Sequence, residues 1–336
     1  LFPGALGLAG LFLYLHLPAA LVLGPLVAGG VMGANGATIR VPKVCHQFGQ
    51  GIAGCLIAQY LDAAILGRML DLWPTVVLFV VLTMGAACIA GLLAARWSGL
   101  GRQVTLWGFL PGMAGMIIAL SHEKGLDSRM VAFIQLLRLM VVIVSMVLAT
   151  MALVGPAVSQ GGSHAETSPM AVLVCIGLAL AGAGLGRFVP IAATFFPLAG
   201  AAALNAHGAL HIVVPLWLAM LAYLAIGAQV GLRVTPALIR AGVAAFVPVL
   251  GAAVILMVLC GAAGLVLSLA TGVDLMSGLL ATVPGSVDSI ALLAIGSGSD
   301  VSFVMTMQVV RMLTVAILGP LVADRLARWG TARGGD

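Results

Sequence analysis

Two short stretches, FIQLLRLMVV (133–142) and TMQVVRMLTV (306–315), each carry a glutamine and, three residues later, an arginine in otherwise apolar sequence. Gln135 and Arg138 share one helix face, and so do Gln308 and Arg311. A guanidinium near the centre of a bilayer costs at least ~2.5 kcal/mol on insertion scales, so it needs a carboxylate, backbone carbonyls or an anionic ligand. Two readings follow, and both can hold at once. Either the arginines bond the carbonyls of a neighbouring turn, or they bind an anionic substrate.

The neighbouring turns are PGMAGM, from Pro111, and PGSVDS, from Pro284. Proline removes a helical hydrogen bond and glycine tolerates the turn that follows. Gly112 and Gly285 therefore mark two tips. The second tip offers Ser286 and Ser289 as polar contacts, with local backbone capping as their alternative role. Asp288 stands four residues past Pro284. It is placed either to pair with Arg311 or to carry a coupling proton or cation. A half-helix starting at each tip would present free N–H groups to an anion.

Little else carries chemistry. Of six histidines, only His207 and His211 have the i, i+4 spacing of helical ligands, and they fall at a loop. The five cysteines (Cys45, Cys55, Cys88, Cys175, Cys260) are scattered, without CxxC, and read as buried apolar thiols. No HExxH, phosphate loop or nucleophile elbow occurs, so neither metal, cofactor nor enzymatic activity is expected.

The elements that must hold these residues are apolar throughout. Of 336 residues, 62% are hydrophobic and 7% charged, against about 25% charged in soluble domains. Apolar runs recur without the alternation of a membrane barrel, which gives an all-α polytopic membrane protein. Its net charge of +5 comes from loop arginines and does not indicate a nucleic-acid partner.

The chain is also a duplication. With a shift of 173, residues 111–142 overlay 284–315 with ten of 32 positions identical, both Gln and both Arg included. A weaker match pairs 24–36 with 196–208. The halves are 1–155 and 169–336, joined by a polar linker over 156–168. Each half holds six apolar elements, at 1–17, 18–34, 44–66, 73–95, 103–122 and 129–154, then 169–186, 189–206, 212–232, 241–270, 275–296 and 301–325. The fifth of each is interrupted by its Pro-Gly.

Loop charges choose the topology. If all twelve elements cross, Lys and Arg divide seven to six. If each fifth element enters and returns on one side, twelve stand inside and only Arg68 outside. Five crossings per half then invert the second repeat, and the tips meet near the midplane. A continuous but broken crossing helix is the rival geometry. Inverted repeats with interrupted elements at matching positions point to a secondary transporter. Asp127 and Asp300 are the expected N-caps of the last helix of each half. Eleven residues on, about 16 Å at 1.5 Å per residue, the arginines reach mid-bilayer.

The twice-repeated pattern PG…GxD…VxxxQxxR resembles the membrane AbrB family, over essentially the whole chain. Members of that family have a duplicated domain and carry names such as transcriptional regulator, regulator of aidB expression and ammonia monooxygenase. Their tip is usually Pro-Gly-Gly followed by an acid. Here the first tip has no acid and the second has Asp288 slightly early. No DNA-reading module or metal cluster accompanies those names in this chain. By analogy alone, the inverted halves are similar to cation/proton antiporters, bile-acid symporters and citrate carriers. The expectation is a bacterial inner-membrane transporter with a cytoplasmic C-terminus. Its substrate is a small organic anion or zwitterion held by Gln135, Arg138, Gln308, Arg311 and the tips. A metabolite sensor acting on gene expression through a partner is the alternative. A homodimer is compatible with this architecture.

Overall fold

The computed structural model describes residues 7–11, 14, 20–61, 73–111, 114–155, 168–189, 192–208, 210–285 and 287–331. Among them there are helices and no strands. In chain order they are α1 (Ala20–Ala34), α2 (Lys43–Ala58), α3 (Trp73–Ser98), α4 (Arg102–Phe109), α5 (Ala114–Glu123), α6 (Ser128–Leu153), α7 (Pro169–Leu185), α8 (Ala192–Ala206) and α9 (Leu216–Gly231). Then follow α10 (Pro236–Gly242), α11 (Phe246–Thr271), α12 (Leu275–Thr282), α13 (Val287–Ser297) and α14 (Val301–Thr331). The apolar elements expected from 18 onward each fall on one of these helices or on a consecutive pair. Most of 1–17, the linker over 156–167, and Arg68 lie outside the described residues.

Three stretches are long and apolar enough to cross a membrane: Trp73–Ser98, Ser128–Leu153 and Pro236–Thr271. Val301–Val315 with Ile317–Arg328 makes a fourth, bent by 52°. Pro320 accounts for the bend. It lacks the N–H that would reach the carbonyl of residue 316, and its ring crowds that carbonyl.

The helices gather into two compact units, and each unit draws on both sequence halves. The first comprises Leu1–Leu70, Ala149–Pro236 and Ala291–Met305; the second comprises Asp71–Leu148, Ala237–Ile290 and Thr306–Asp336. In the first unit α1 packs against α9, and α2 against α8. The pairing is reciprocal, since the second element of each half meets the third element of the other. Small residues permit this. A Cβ on Gly231 would stand 2.3 Å from the Leu26 carbonyl oxygen, and one on Gly54 2.4 Å from that of Thr194. Backbones approaching so closely replace side-chain interdigitation. The extended run before α9 is tied by side chains. Asn205 Oδ1 accepts from the N–H of Ile212 (2.7 Å), and Gln59 Oε1 from that of Val214 (3.1 Å).

In the second unit α3 packs along α11, and α4 and α12 lie against α3 and α11 respectively. Cys88, Leu106, Trp107, Leu110, Ile117, Val131 and Val315 pack into a hydrophobic core around α4.

One reading from sequence needs correction: Cys45 is exposed, whereas the other four cysteines are buried thiols as expected. His207 and His211 lie past the end of α8 at Ala206, in the loop where the sequence put them, and both are exposed.

Candidate functional site

Both breaks have the same cause. Leu110 and Val283 each precede a proline, and the proline ring disfavours the helical region for the residue before it. Leu110 is accordingly extended at φ −59°, ψ 120°, and Val283 at φ −69°, ψ 132°. Each still closes one last helical bond, to Leu106 and Leu279, at 3.1 Å. Beyond that bond, the last carbonyls of α4 and α12 have no intrahelical partner. Buried in an apolar unit, they need donors from elsewhere.

The glutamines and arginines are those donors. Asp127 and Asp300 cap α6 and α14, accepting from Met130 N–H (3.2 Å) and Phe303 N–H (2.9 Å). In the first half, Gln135 Nε2 donates to the Trp107 carbonyl at 3.5 Å, and Arg138 Nη1 to that of Phe109 at 2.9 Å. In the second, Gln308 Nε2 donates to Leu280 (2.6 Å) and Val283 (3.2 Å). Arg311 donates through Nη1 to Val283 (2.5 Å) and through Nη2 to Gly285 (3.1 Å). Each glutamine reaches 28 residues back, so the duplication seen in sequence is also a duplication of bonds. The positive groups sit at the C-terminal ends of α4 and α12, where the helix dipole favours a cation.

These side chains are not used up. Gln135, Arg138, Gln308 and Arg311 are 3%, 5%, 0% and 3% exposed, and the same two atoms remain unpartnered in each pair: the amide Oε1 and the guanidinium Nε. A buried polar group without a partner costs about 1–3 kcal/mol. Repetition of the same leftover in both halves marks a built feature. The second tip also meets α6, since a Cβ on Gly285 would stand 3.2 Å from Val142, one turn past Arg138. Cys260, on α11, is fully buried. Thr282 Oγ1 links the end of α12 to that point through the Cys260 carbonyl at 2.9 Å. No carboxylate among the described side chains meets either guanidinium.

The tips are placed in part. Gly285 is held by Arg311 and tightly packed, since a Cβ there would meet Ile290 at 2.8 Å. Gly112 and Ser286 lie outside the described residues. The backbones of Asp288 and Ser289 belong to the first turn of α13, and their side chains are outside the described set.

Sequence reasoning missed one polar junction. Asp324, on α14, accepts from Trp107 Nε1 (3.1 Å) and Gln103 Nε2 (3.5 Å) of α4, and pairs with Lys124 just past α5. The Lys124 ammonium also lies 5.4 Å from the centre of the Trp107 ring. One carboxylate thus binds both limbs of the first broken element to the last helix. Asp324→Ala is expected to lower stability by about 2 kcal/mol, because the fully buried indole N–H loses its acceptor. Lys124→Met should cost less than about 1 kcal/mol, as its ion pair is solvent-screened. Thermal unfolding of the two variants in detergent checks the order.

The residues that form the site belong to a wider likeness. The sequence profile of the family described as "Transition state regulatory protein AbrB" matches residues 5–327. The chain is 32% identical, over 96% of its length and 94% of the other's, to "Putative regulator AbrB" of Escherichia coli (strain K12). It is 24% identical, over 81% of its length and 76% of the other's, to "Uncharacterized protein YhjN" of Bacillus subtilis (strain 168). No solved structure matches it. With both broken elements and both glutamine–arginine pairs inside the matched span, the chain belongs to the AbrB family.

Proposed function

We propose that this protein is a secondary transporter that carries a small organic anion or zwitterion across the bacterial inner membrane by alternating access. It acts by binding and release rather than by catalysis. The observation that carries the reading is the pair of buried arginines at two matching helix breaks. Among the described residues each is bonded only to backbone, and each has a donor left over. Broken helices at matching positions of two repeats are where transporters place their sites. The reciprocal packing of the halves and the loop-charge asymmetry support two inverted repeats of five crossings with the C-terminus cytoplasmic. The arginines then serve twice. Through Nη they hold the tips, and through Nε they face the solute. Gly112, Gly285, Ser286 and Ser289 line the tips in this reading, and Asp288 carries the coupling ion.

A second reading is favoured by the relative's printed name, "Putative regulator AbrB". In it, the same site senses a metabolite and signals through a partner without moving the solute.

Reconstitution into liposomes separates the two. A solute that raises the unfolding temperature of the purified protein is expected to enter loaded vesicles faster than empty control vesicles, and to do so far more slowly with Arg311→Ala. A stabilising solute with no protein-dependent flux would replace transport by sensing.

A further inference from the structure

The geometry points to a ligand that carries a carboxylate next to a neutral hydrogen-bond donor: an α-hydroxy acid, bound at the buried glutamine–arginine pairs. This rests on the proposed reading of the pairs as the solute site, and applies to transporter and sensor alike.

The leftover atoms set the requirement. Each pair keeps one cationic donor, the arginine Nε–H, and one neutral acceptor, the glutamine Oε1. An i, i+3 spacing puts the two side chains next to each other on one helix face. A plain carboxylate has only acceptors. It satisfies the Nε–H groups and leaves both Oε1 atoms bare, and buried polar groups in folded proteins seldom stay bare. A ligand with a hydroxyl on the carbon next to its carboxylate answers both atoms of one pair at once, and leaves one Oε1 bare instead of two. An α-ammonium also donates, but it would add positive charge beside a buried guanidinium that no carboxylate among the described side chains meets. Like charges at short range in a poorly hydrated interior repel strongly. The hydroxyl is therefore preferred to the ammonium.

Three probes isolate the group in question. Propionate, lactate and alanine share a three-carbon skeleton and differ only in hydrogen, hydroxyl or ammonium at the α carbon. Binding to the full purified chain is measured for each by calorimetry and by shift of the unfolding temperature. Lactate is expected to bind at least about tenfold more tightly than either of the others, as a polar site rejects an analogue that leaves its groups unpaired. In Gln135→Leu, which removes an amide that makes only the long bond to Trp107, the preference for lactate over propionate should shrink severalfold. Gln135→Met serves the same end if the leucine variant does not fold, and the wild-type ranking stands without either. Equal binding of propionate and lactate overturns the inference while leaving the site reading intact. So does alanine binding best, which would mean the ammonium finds an acid. If neither these three nor a wider set of small acids binds, the site reading itself fails.

Discussion

Arg311→Ala is expected to lower the stability of the purified protein by about 1–3 kcal/mol, whereas Arg138→Ala should leave it nearly unchanged. The two residues occupy the same place in their halves, so the difference comes from bonds alone. A hydrogen bond from a charged group contributes about 1.5–3 kcal/mol. Removing an arginine from an apolar interior recovers at least ~2.5 kcal/mol of unfavourable insertion. Arg311 makes two such bonds, and its loss leaves the Gly285 carbonyl without a described donor. Two bonds outweigh the recovered term. Among the described residues Arg138 makes one, to Phe109, so the terms roughly cancel. Thermal or denaturant unfolding of both variants in one detergent gives the comparison. Equal losses would show that the guanidiniums do not act mainly through these carbonyls. Arg311→Lys should resemble the alanine variant more than the wild type, because one ammonium cannot span two carbonyls as the planar fork does.

The second large effect lies in the first unit. Gly231→Leu is expected to destabilise by about 3 kcal/mol or more, at the upper end of what overpacking costs. The new Cβ would sit 2.3 Å from the Leu26 carbonyl oxygen and 2.6 Å from the Gly30 nitrogen. Both are backbone atoms, so no rotamer change gives way and α1 must separate from α9. Gly177→Leu, on α7, is the control. A Cβ there meets nothing within 4 Å, and leucine is the better helix former by somewhat under 1 kcal/mol. Unfolding midpoints should fall steeply for the first and hold or rise slightly for the second.

Much of this was legible from sequence because the responsible forces are local. Proline dictates the conformation of the residue before it, so both breaks could be placed to within a residue or two. Asp127 and Asp300 announced the starts of α6 and α14 by the ordinary chemistry of caps. The spacing of Gln and Arg sets their common face, and a guanidinium in an apolar helix already calls for backbone carbonyls as one class of partner. What escaped was long-range. Asp324 meets Trp107 from 217 residues away, and no periodicity announces a contact set by how α14 crosses α4. Nor could glycine content say which of 44 glycines touch backbone. Gly231 and Gly177 look alike in sequence and differ entirely in what stands beside them. Cys260 read as a buried thiol, and only packing brings its carbonyl to the end of α12.

The interlocking of the halves bears on where such a chain comes from. α1 rests on α9, α2 on α8, and α3 on its own counterpart α11. A polypeptide of half this length with the same packing would have had each unit half-built, with α1, α2 and α3 exposing the faces now covered. Two copies placed about a two-fold axis would have supplied one another's missing helices, because an isologous contact pairs i with j and j with i. The ancestral short form would then have been an obligate dimer with intertwined subunits. Fusion of the two genes would have kept its interfaces as the interior of a single chain. It would also have freed each copy to diverge, as the bare first tip and the polar second tip have done.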